Sequence, residues 1–545
     1  MFFKQKFLKC LMQLASARGM WYNKIGMIAE KGGIFAMRNL SKLIFQRVVA
    51  VSLGILLQIV FLIVMATVLR DDVYWIRIAM GVLSWAVIIY IISCSVNPSY
   101  KIAWIVLILA FPVAGLTIYL LFGGNKISSY EHRKMHSIEA VAMQQLQQDE
   151  APLWALAASG SPAFNHARYL YFSSGYPIYD SGDAEYFPSG ESCFQAMLDE
   201  LEKAEKYIFV EFFILAQGKM WDSILEVLRR KAAAGVDVRV VYDDFGCITR
   251  LPMQYAKKLR EMGIRAYAFN PYIPILSARL NNRDHRKLLI IDGKVGFTGG
   301  VNLADEYINE YERFGHWKDC GILVRGKPVW SMTVMFLSLW DYVDRAEEDV
   351  AAFRPEYPED APCTGYLQPF ADSPLDNEDV GATILQNLIS AAQERVWIMT
   401  PYLILDDKMA TALCVAAKSG VDVRIITPAI PDKWYVHAVT RANYEELTHA
   451  GVRIFEYTPG FVHSKVYLGD THYAVVGTVN LDFRSLYLHF EDAVYLCDAD
   501  AVGQIELDFS VTFPQCREIT HAQCRHVNIF QRVLRALLRM FAPLM

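Results

Sequence analysis

The sequence predicts an α/β protein, built as a tandem, pseudo-twofold pair of homologous domains behind an N-terminal helical transmembrane anchor. Residues 235–239 read Gly-Val-Asp-Val-Arg, and residues 420–424 repeat them, which indicates an internal duplication. Between such repeated segments, β-branched runs alternate with amphipathic stretches such as 220–234 and 407–419, a pattern typical of βαβ units. Three charge-free apolar runs precede the duplicated part, at residues 48–68, 78–96 and 102–122.

The order of these features predicts seven segments. They are a basic N-terminal segment (1–47), the anchor (48–122), a connector (123–179), the first domain (180–354, motif 280–307), a linker rich in Pro, Asp and Glu (355–374), the second domain (375–524, motif 458–485) and a basic amphipathic C-terminal helix (525–545). The chain is long enough for each domain to have its own core, since it has 545 residues.

The anchor predicts a multi-pass protein of the cell membrane. Each apolar run is about as long as a helix needs to cross roughly 30 Å of hydrocarbon. Residues 1–47 carry nine Lys or Arg and one acid, Glu30, as expected of a cytoplasmic flank. Three crossings would then place the duplicated part outside the cytoplasm, whereas the scattered cysteines and the basic Lys126, Arg133 and Lys134 favour the inside. The membrane face of the duplicated part therefore stays open.

The C-terminal segment places Ile529, Val533 and Leu537 against basic side chains that include Arg532 and Arg535. This amphipathic pattern predicts a helix, and it fits packing on the protein core as well as binding to an anionic bilayer surface.

Composition excludes several classes of function. The net charge of −5 provides no general basic field for nucleic acid. The ten cysteines form no Cys-x-x-Cys pair and show no His-Cys ligand spacing, so neither a zinc site nor a dense disulfide framework is expected. We expect no metal and no cofactor.

One motif occurs twice and predicts the active site. In the first copy His285, Lys287, Asp292 and Asn302 follow one another at spacings that His463, Lys465, Asp470 and Asn480 repeat in the second copy. The apolar residues 288–291 predict a buried strand that ends in an Asp-Gly turn. Side chains two apart on a strand share a face, so the imidazole and the ammonium of one copy point the same way.

These residue types suit phosphate chemistry. Two copies in a tandem repeat imply one active site at the pseudo-twofold interface, with a phosphate between two imidazoles. One neutral imidazole can attack phosphorus and form a phosphohistidine, while the other, protonated, gives its proton to the leaving alkoxide. The lysines and asparagines stabilise charge on the non-bridging oxygens.

The duplicated motif resembles that of the phospholipase D superfamily, and most of the chain is similar to the bacterial cardiolipin synthase family. The similarity includes Trp317-Lys318-Asp319 and the run from Asn480 to Ser485. It implies two phospholipase D-like domains and phosphatidyl transfer between two phosphatidylglycerol molecules, giving cardiolipin and glycerol. It also implies that Asp292 and Asp470 are mainly structural, that His285 is the nucleophile and that Glu310 and Glu491 orient the imidazoles.

The resemblance leaves alternatives within the superfamily. A phospholipase D-type hydrolase would use water in place of the second lipid, and a related phosphatidyltransferase would use another alcohol. A nuclease is disfavoured by the anchor and the acidic net charge, and a non-enzymatic scaffold by two intact motifs. Relatives commonly have Asn at the positions of Asp284 and His489, which affects the expected substrate preference more than the reaction type. The expected partners are phosphatidylglycerol and anionic membrane lipids, with no nucleic acid, and the oligomeric state stays open.

Overall fold

The computed structural model describes residues 56–57, 59–61, 74–94, 97–123, 129–271, 282–344, 348–357, 365–376 and 378–542. The chain divides into two compact units. The smaller one comprises 1–94, 104–123 and 273–277, and the larger one comprises 95–103, 124–272 and 278–545. The basic segment 1–47, most of the apolar run 48–68 and residues 272–281 lie outside the described residues.

The predicted anchor is helical where it is described. Helix α1 (Tyr74–Ser93) covers most of the second apolar run, and α2 (Pro98–Ala110), α3 (Pro112–Ile118) and a π-helical turn (Tyr119–Gly123) divide the third. The division falls at Phe111, because Pro112 has no N–H to continue α2 and instead takes the first turn of α3. Among the residues that the structure describes, no helix combines the length and the apolarity that crossing a bilayer requires.

The connector forms three helices in the larger unit. They are α4 (Ser129–Met143), α5 (Glu150–Ser159) and α6 (Ala163–Ser174). Helix α5 starts where the Asp149 side chain accepts from the N–H of Ala151, and it ends at Gly160 in the left-handed conformation. Asp at the start of a helix and Gly just after its end are both favoured cap residues.

The first half of the duplicated part alternates strands and helices. Its elements in order are β1 (Asp183–Phe187), α7 (Gly190–Leu201), β2 (Tyr207–Phe212), α8 (Lys219–Ala233), β3 (Asp237–Asp243), α9 (Asp244–Cys247), α10 (Tyr255–Glu261), β4 (Arg265–Phe269), β5 (Lys287–Ile291), β6 (Val295–Gly299), β7 (His316–Lys318), β8 (Gly321–Arg325) and α11 (Val329–Asp344).

The second half follows the same plan and adds a C-terminal extension. Its elements are β9 (Tyr366–Asp372), α12 (Val380–Ala391), β10 (Arg395–Met399), α13 (Asp407–Lys418), β11 (Asp422–Pro428), α14 (Trp434–Ala450), β12 (Arg453–Tyr457), β13 (Gly460–Val462), β14 (Val466–Gly469), β15 (Tyr473–Gly477), α15 (Phe483–Tyr487), β16 (Glu491–Cys497), α16 (Asp500–Thr512), β17 (Cys516–Ile519), α17 (His521–Arg525) and α18 (Ile529–Met540).

The two main sheets have equivalent strand orders. The first runs β1-β8-β6-β5-β2-β3-β4, and the second runs β9-β16-β15-β14-β10-β11-β12 with β17 added at its edge. In each sheet three strands are parallel and the rest are antiparallel, so both sheets are mixed. The predicted α/β class and duplication are therefore confirmed. A small parallel pair, β7 with β13, joins the two halves.

The motif strands lie in the middle of these sheets. Strand β5 pairs antiparallel with β2 and β6, and β14 pairs antiparallel with β10 and β15. All residues of β5 and β14 are buried, as expected for apolar strands with neighbours on both sides. This position fixes the register of the motif residues at the start of each strand.

Candidate active site

Each motif histidine is attached to the backbone of the opposite half. The N–H of His285 donates to the carbonyl of Phe490 at 2.9 Å, and the N–H of His463 donates to the carbonyl of Lys318 at 2.7 Å. His285 lies two residues before Lys287, which begins β5, and His463 lies two residues before Lys465, which immediately precedes β14. The imidazole and the ammonium of each copy therefore have the same orientation. The pairing of the halves therefore positions both imidazoles.

Each imidazole also contacts a buried carboxylate of the other half. His285 Nδ1 lies 3.0 and 2.8 Å from the two carboxylate oxygens of Glu491. His463 Nδ1 lies 2.8 Å from Asp319 Oδ2. Because an ionised carboxylate only accepts hydrogen bonds, Nδ1 of each ring carries the hydrogen, and the lone pair is on Nε2. Both rings are thus oriented with Nε2 as the reactive atom.

Glu491 and Asp319 occupy equivalent places in the two sheets. Ala493 pairs with Gly477, and Gly321 pairs with Gly299, so each carboxylate lies two residues before the partner of a motif glycine. The sequence-based prediction included Glu491 but missed Asp319. Asp319 lies two residues before β8, but nothing in the local sequence distinguishes it from the other carboxylates between β6 and β8.

Glu310 is not brought to this site. Its carboxylate pairs with Lys219 on the surface, and its side chain is 43% exposed. The predicted orienting carboxylate of the first half is therefore replaced in the structure by Asp319, which is fully buried. Counting residues from His285 could not distinguish Glu310 from Asp319, because the segment from His285 to Asp319 is longer than its counterpart from His463 to Glu491.

The two lysines are buried beside their histidines. Lys287 Nζ donates to the carbonyl of His285 at 2.7 Å, and Lys465 Nζ lies 3.0 Å from Nε2 of His463. Burial lowers the pKa of Lys287 to about 8 and that of Lys465 to about 7, although neighbouring carboxylates oppose the shift. An anionic phosphate between them would favour the charged form of both side chains.

The two motif copies lie close enough for charges of one copy to act on ionisable groups of the other. The charge on Lys287 contributes to lowering the pKa of both Lys465 and His463, and Asp319 raises the pKa of Lys287. Lys287 belongs to the first motif copy and Lys465 to the second, so charges of one half act on ionisable groups of the other. The structure therefore brings both His-Lys pairs together.

Both imidazoles are neutral before an anion binds. Burial lowers the pKa of His285 to about 3, against the upward effect of Glu491. Burial and the charge of Lys465 lower the pKa of His463 to about 4. Burial raises the pKa of Glu491 and of Asp319, but the adjacent histidines outweigh it, so both carboxylate pKa values lie below their usual range. A phosphodiester anion at this place would raise the pKa of both rings.

The asparagines differ in how they are held. Asn302 Oδ1 accepts from the N–H of Ile214 at 3.0 Å, and its amide donates to the hydroxyl of Tyr307 at 2.8 Å. Asn480 donates its backbone N–H to Ser485 Oγ at 2.7 Å, whereas its side-chain oxygen has no hydrogen-bond partner within the described residues. Asn302 is thus more firmly positioned than Asn480.

The Gly-Gly turn after β6 allows the halves to approach. A Cβ on Gly300 would lie 1.9 Å from Asp319 Oδ1 and 2.9 Å from the carbonyl oxygen of His463. Gly299 has a φ of +142°, in the region that favours glycine. A side chain at Gly300 would therefore displace the carboxylate that orients His463.

The motif aspartates lie away from the imidazoles. Asp292 accepts from the N–H groups of Glu205, Lys206 and Tyr207 at 2.7–2.8 Å, and Asp470 accepts from those of residues 393–395. Each follows the end of its strand, whereas Lys287 begins β5 and Lys465 immediately precedes β14. A strand of this length separates them by about 16 Å. These contacts are those of residues that stabilise a turn.

Aromatic rings and a third histidine surround the imidazoles. Phe213 contacts His285 and Tyr307 contacts His463, with ring centroids 5.1 and 5.4 Å apart. His489 lies 5.5 Å from His285, and its Nδ1 is 3.7 Å from Glu491, longer than a hydrogen bond. These rings reduce water access and increase the strength of charge interactions in the site.

Among the described residues, the group with metal-ligand geometry is His285, His489 and Glu491. Its potential ligand atoms all lie within 4.8 Å of one another. Both Glu491 oxygens already accept hydrogen bonds, from His285, Thr478 and Ser485. A metal would have to break these contacts, so the arrangement fits a positioning carboxylate better than a metal ligand.

The fold and this site define a protein of the phospholipase D superfamily. A crystal structure of phosphatidylserine synthase from Haemophilus influenzae has the same fold over 66% of this chain and 93% of its own, with a TM-score of 0.51 and 15% identity. The family model described as "Cardiolipin synthase, PLD-like domain" matches residues 197–313 and 385–512. A second model, "Phospholipase_D-nuclease N-terminal", matches residues 82–124.

Full-length relatives specify the family. A cardiolipin synthase from Geobacillus thermodenitrificans is 34% identical, over 93% of this chain and all of the relative. An uncharacterized protein from Streptococcus mutans is 41% identical, over 84% of this chain and 99% of the relative. The chain belongs to the cardiolipin synthase family.

Proposed function

We propose that the protein is a cardiolipin synthase of the phospholipase D type. It transfers a phosphatidyl group from one phosphatidylglycerol to a second one, and the products are cardiolipin and glycerol. The observation that carries this proposal is the pair of imidazoles, each held at Nδ1 by a carboxylate of the opposite half. Such a pair can take up and release a proton on both sides of one phosphorus atom.

The first step forms a covalent intermediate. The Nε2 lone pair of His285 attacks phosphorus, and the bond between phosphorus and the glycerol oxygen breaks. His463, protonated once the phosphodiester anion is bound, gives its Nε2 proton to that oxygen, and glycerol leaves. Lys287, Lys465, Asn302 and Asn480 stabilise the charge on the non-bridging oxygens.

The second step regenerates the enzyme. The now neutral His463 removes the proton of a headgroup hydroxyl of the second phosphatidylglycerol, whose oxygen attacks phosphorus. The bond between phosphorus and His285 breaks, and cardiolipin is released. Glu491 stabilises the positive charge that His285 carries as the phosphohistidine. Asp319 does the same for His463 in its protonated form.

The environments of the two rings support His285 as the nucleophile. Lys465 Nζ lies 2.8 Å from Nδ1 and 3.0 Å from Nε2 of His463, so its ammonium group contacts both ring nitrogens. Both lysines donate to the backbone carbonyl of their own histidine, and for Lys287 this carbonyl, rather than a ring nitrogen, is the contact with His285. Glu491 contacts His285 with both oxygens, which favours the more permanent positive charge of a phosphohistidine.

Lipid mass spectrometry with a glycerol assay tests this function. The full chain is supplied with phosphatidylglycerol beside the His285→Ala and His463→Ala variants. A matched control is His472→Ala, since the His472 side chain is 58% exposed and pairs with the exposed Asp498 at the surface. Equal amounts of cardiolipin and glycerol are expected from the unmodified chain and from the control, and neither product from the other two variants.

Other products would identify the rival activities. Phosphatidic acid with glycerol and no cardiolipin would contradict the synthase function and indicate a phospholipase D-type hydrolase. Formation of a different phosphatidyl ester after addition of serine or ethanolamine, in preference to cardiolipin, would indicate another alcohol acceptor.

We further propose that residues 48–122 anchor the enzyme in the cell membrane, where both lipids are found. The described part of α1 exposes Val82, Trp85, Ile89 and Ile92, each more than half exposed. Such apolar side chains favour contact with lipid over contact with water. The full chain should stay in the membrane fraction after an alkaline carbonate wash, and its release into the supernatant would contradict the anchor.

A further inference from the structure

Helix α18 exposes an apolar stripe that the catalytic function does not explain. Ile529, Phe530, Val533, Leu534 and Leu537 are between 44% and 83% exposed. Their spacing places them on one face of the helix, because residues three to four apart lie above one another. The face is wide and continuous, unlike the single exposed apolar residues that are common on protein surfaces.

The opposite side of α18 packs on the catalytic part. Leu538 contacts a small apolar cluster with Ile404, Val436 and Val439, and Arg539 forms an ion pair with Glu446 at 3.0 Å. Asn528 caps the helix by accepting from the N–H of Gln531 at 2.8 Å. The helix is therefore docked through its other side, and the apolar stripe is left outside.

Arginines line a cavity beneath the helix. It has a volume of about 170 Å³ and is bounded by Arg441, Arg532, Arg535 and Arg539, with Glu445 as its acidic member. Arg441 pairs with Glu456, whereas Arg532 and Arg535 have no carboxylate within 4.0 Å in the part of the chain that the structure describes. Burial and the charge of Arg441 lower the pKa of Arg535. The cavity thus has an excess of guanidinium groups that an anion would neutralise.

We propose that α18 docks on an anionic phospholipid leaflet, with the stripe among the acyl chains and the arginines on lipid phosphates. Guanidinium groups bind phosphate oxygens with two parallel hydrogen bonds. An amphipathic helix with apolar and arginine-rich faces lies in the interface of an anionic bilayer. This surface is separate from the imidazole site and goes beyond the proposed activity.

Charge decides between a bilayer and a second copy of the chain. Residues 525–545 contain four arginines and no Asp or Glu. A second copy of this helix could cover the stripe, but it would bring no carboxylate of its own for the arginines. An anionic leaflet supplies both the apolar interior for the stripe and the phosphates for the arginines.

Site-specific photo-cross-linking in the full chain tests the proposal. A p-benzoylphenylalanine replaces Phe530 or Leu534, and the protein is reconstituted in phosphatidylglycerol vesicles. Leu507 and Val511 on α16 provide matched control positions, since they are apolar and 65% and 56% exposed. After illumination, mass spectrometry should find lipid adducts at positions 530 and 534 several-fold more often than at the control positions.

The other outcomes would overturn the proposal. Cross-linked dimers of the chain at positions 530 or 534 would identify a protein interface. Adducts that are absent there, or as frequent at Leu507, would show that the stripe does not enter the leaflet. Adduct yields in phosphatidylcholine vesicles equal to those in phosphatidylglycerol vesicles would show that the arginines do not select an anionic leaflet. None of these readouts needs cardiolipin synthesis, so the proposal can fail while the enzymatic function stands.

Discussion

Replacement of Asp319 by Asn tests how His463 is positioned and charged. The variant keeps the shape of the side chain but removes the negative charge 2.8 Å from Nδ1 of His463. A hydrogen bond to a charged group contributes about 1.5–3 kcal/mol. Because this bond strengthens when His463 becomes positively charged, its loss should slow glycerol release by about 10- to 150-fold.

The sign of the effect follows from the pKa of His463. Asp319 raises that pKa against burial, so Asp319→Asn lowers it further below about 4 and leaves less of the acid form. A phosphodiester with a nitrophenolate leaving group needs no acid for its departure. The variant should therefore release nitrophenolate in the first turnover at nearly the unmodified rate while losing activity on phosphatidylglycerol.

A matched carboxylate variant controls for general damage. Glu310→Gln removes a surface charge that pairs with Lys219, and it should leave both substrates unaffected. The rates of leaving-group release in the first turnover, measured for both substrates together with the thermal unfolding of each variant, complete the assay. Equal losses on the two substrates for Asp319→Asn, or no loss on either, would refute the role of Asp319 as the partner of a proton-donating His463.

Three further predictions concern the site and its support. Gly300→Ala should lose most activity, since its Cβ would lie 1.9 Å from a carboxylate oxygen of Asp319. Gly503→Ala should keep its activity, because a Cβ at Gly503 would meet no neighbouring group within 4 Å. An active Gly300→Ala enzyme would contradict the close approach of the halves. In a profile from about pH 6 to about pH 9, kcat/KM should fall as pH rises through about 7, because Lys465 loses its proton there; a flat profile would show that its charge is not needed. Asp292→Ala should lower the free energy of unfolding by roughly 2–4 kcal/mol, because three backbone N–H groups lose their acceptor, and denaturant unfolding that matches the unmodified chain would contradict this.

The sequence predicted the local part of the site well. The spacing of His285 and Lys287 and the apolar run after them specify a strand, and the structure has that strand as β5. The duplication likewise predicted two sheets of one design, because repeated patterns of strands and helices fold alike. Both inferences depend on residues close together in the chain.

The features of the site that the sequence did not predict depend on contacts between residues far apart in the chain. Asp319 faces His463 only because Lys318 and His463 join their backbones across the two halves. The chain between β6 and β8 contains several carboxylates, and nothing in their local pattern distinguishes Asp319 from Glu310. The division of the third apolar run at Phe111 was readable from Pro112, whereas hydropathy alone predicted one continuous helix.

The covalent intermediate tests the account most directly. The full chain is mixed with phosphatidylglycerol, quenched within milliseconds in alkali, which preserves phosphohistidine, and digested for peptide mass spectrometry. A phosphatidyl group on the peptide that contains His285, and none on the peptide that contains His463, is the predicted result. A phosphatidyl group on His463, or cardiolipin formation at full rate without any modified histidine, would contradict transfer through His285.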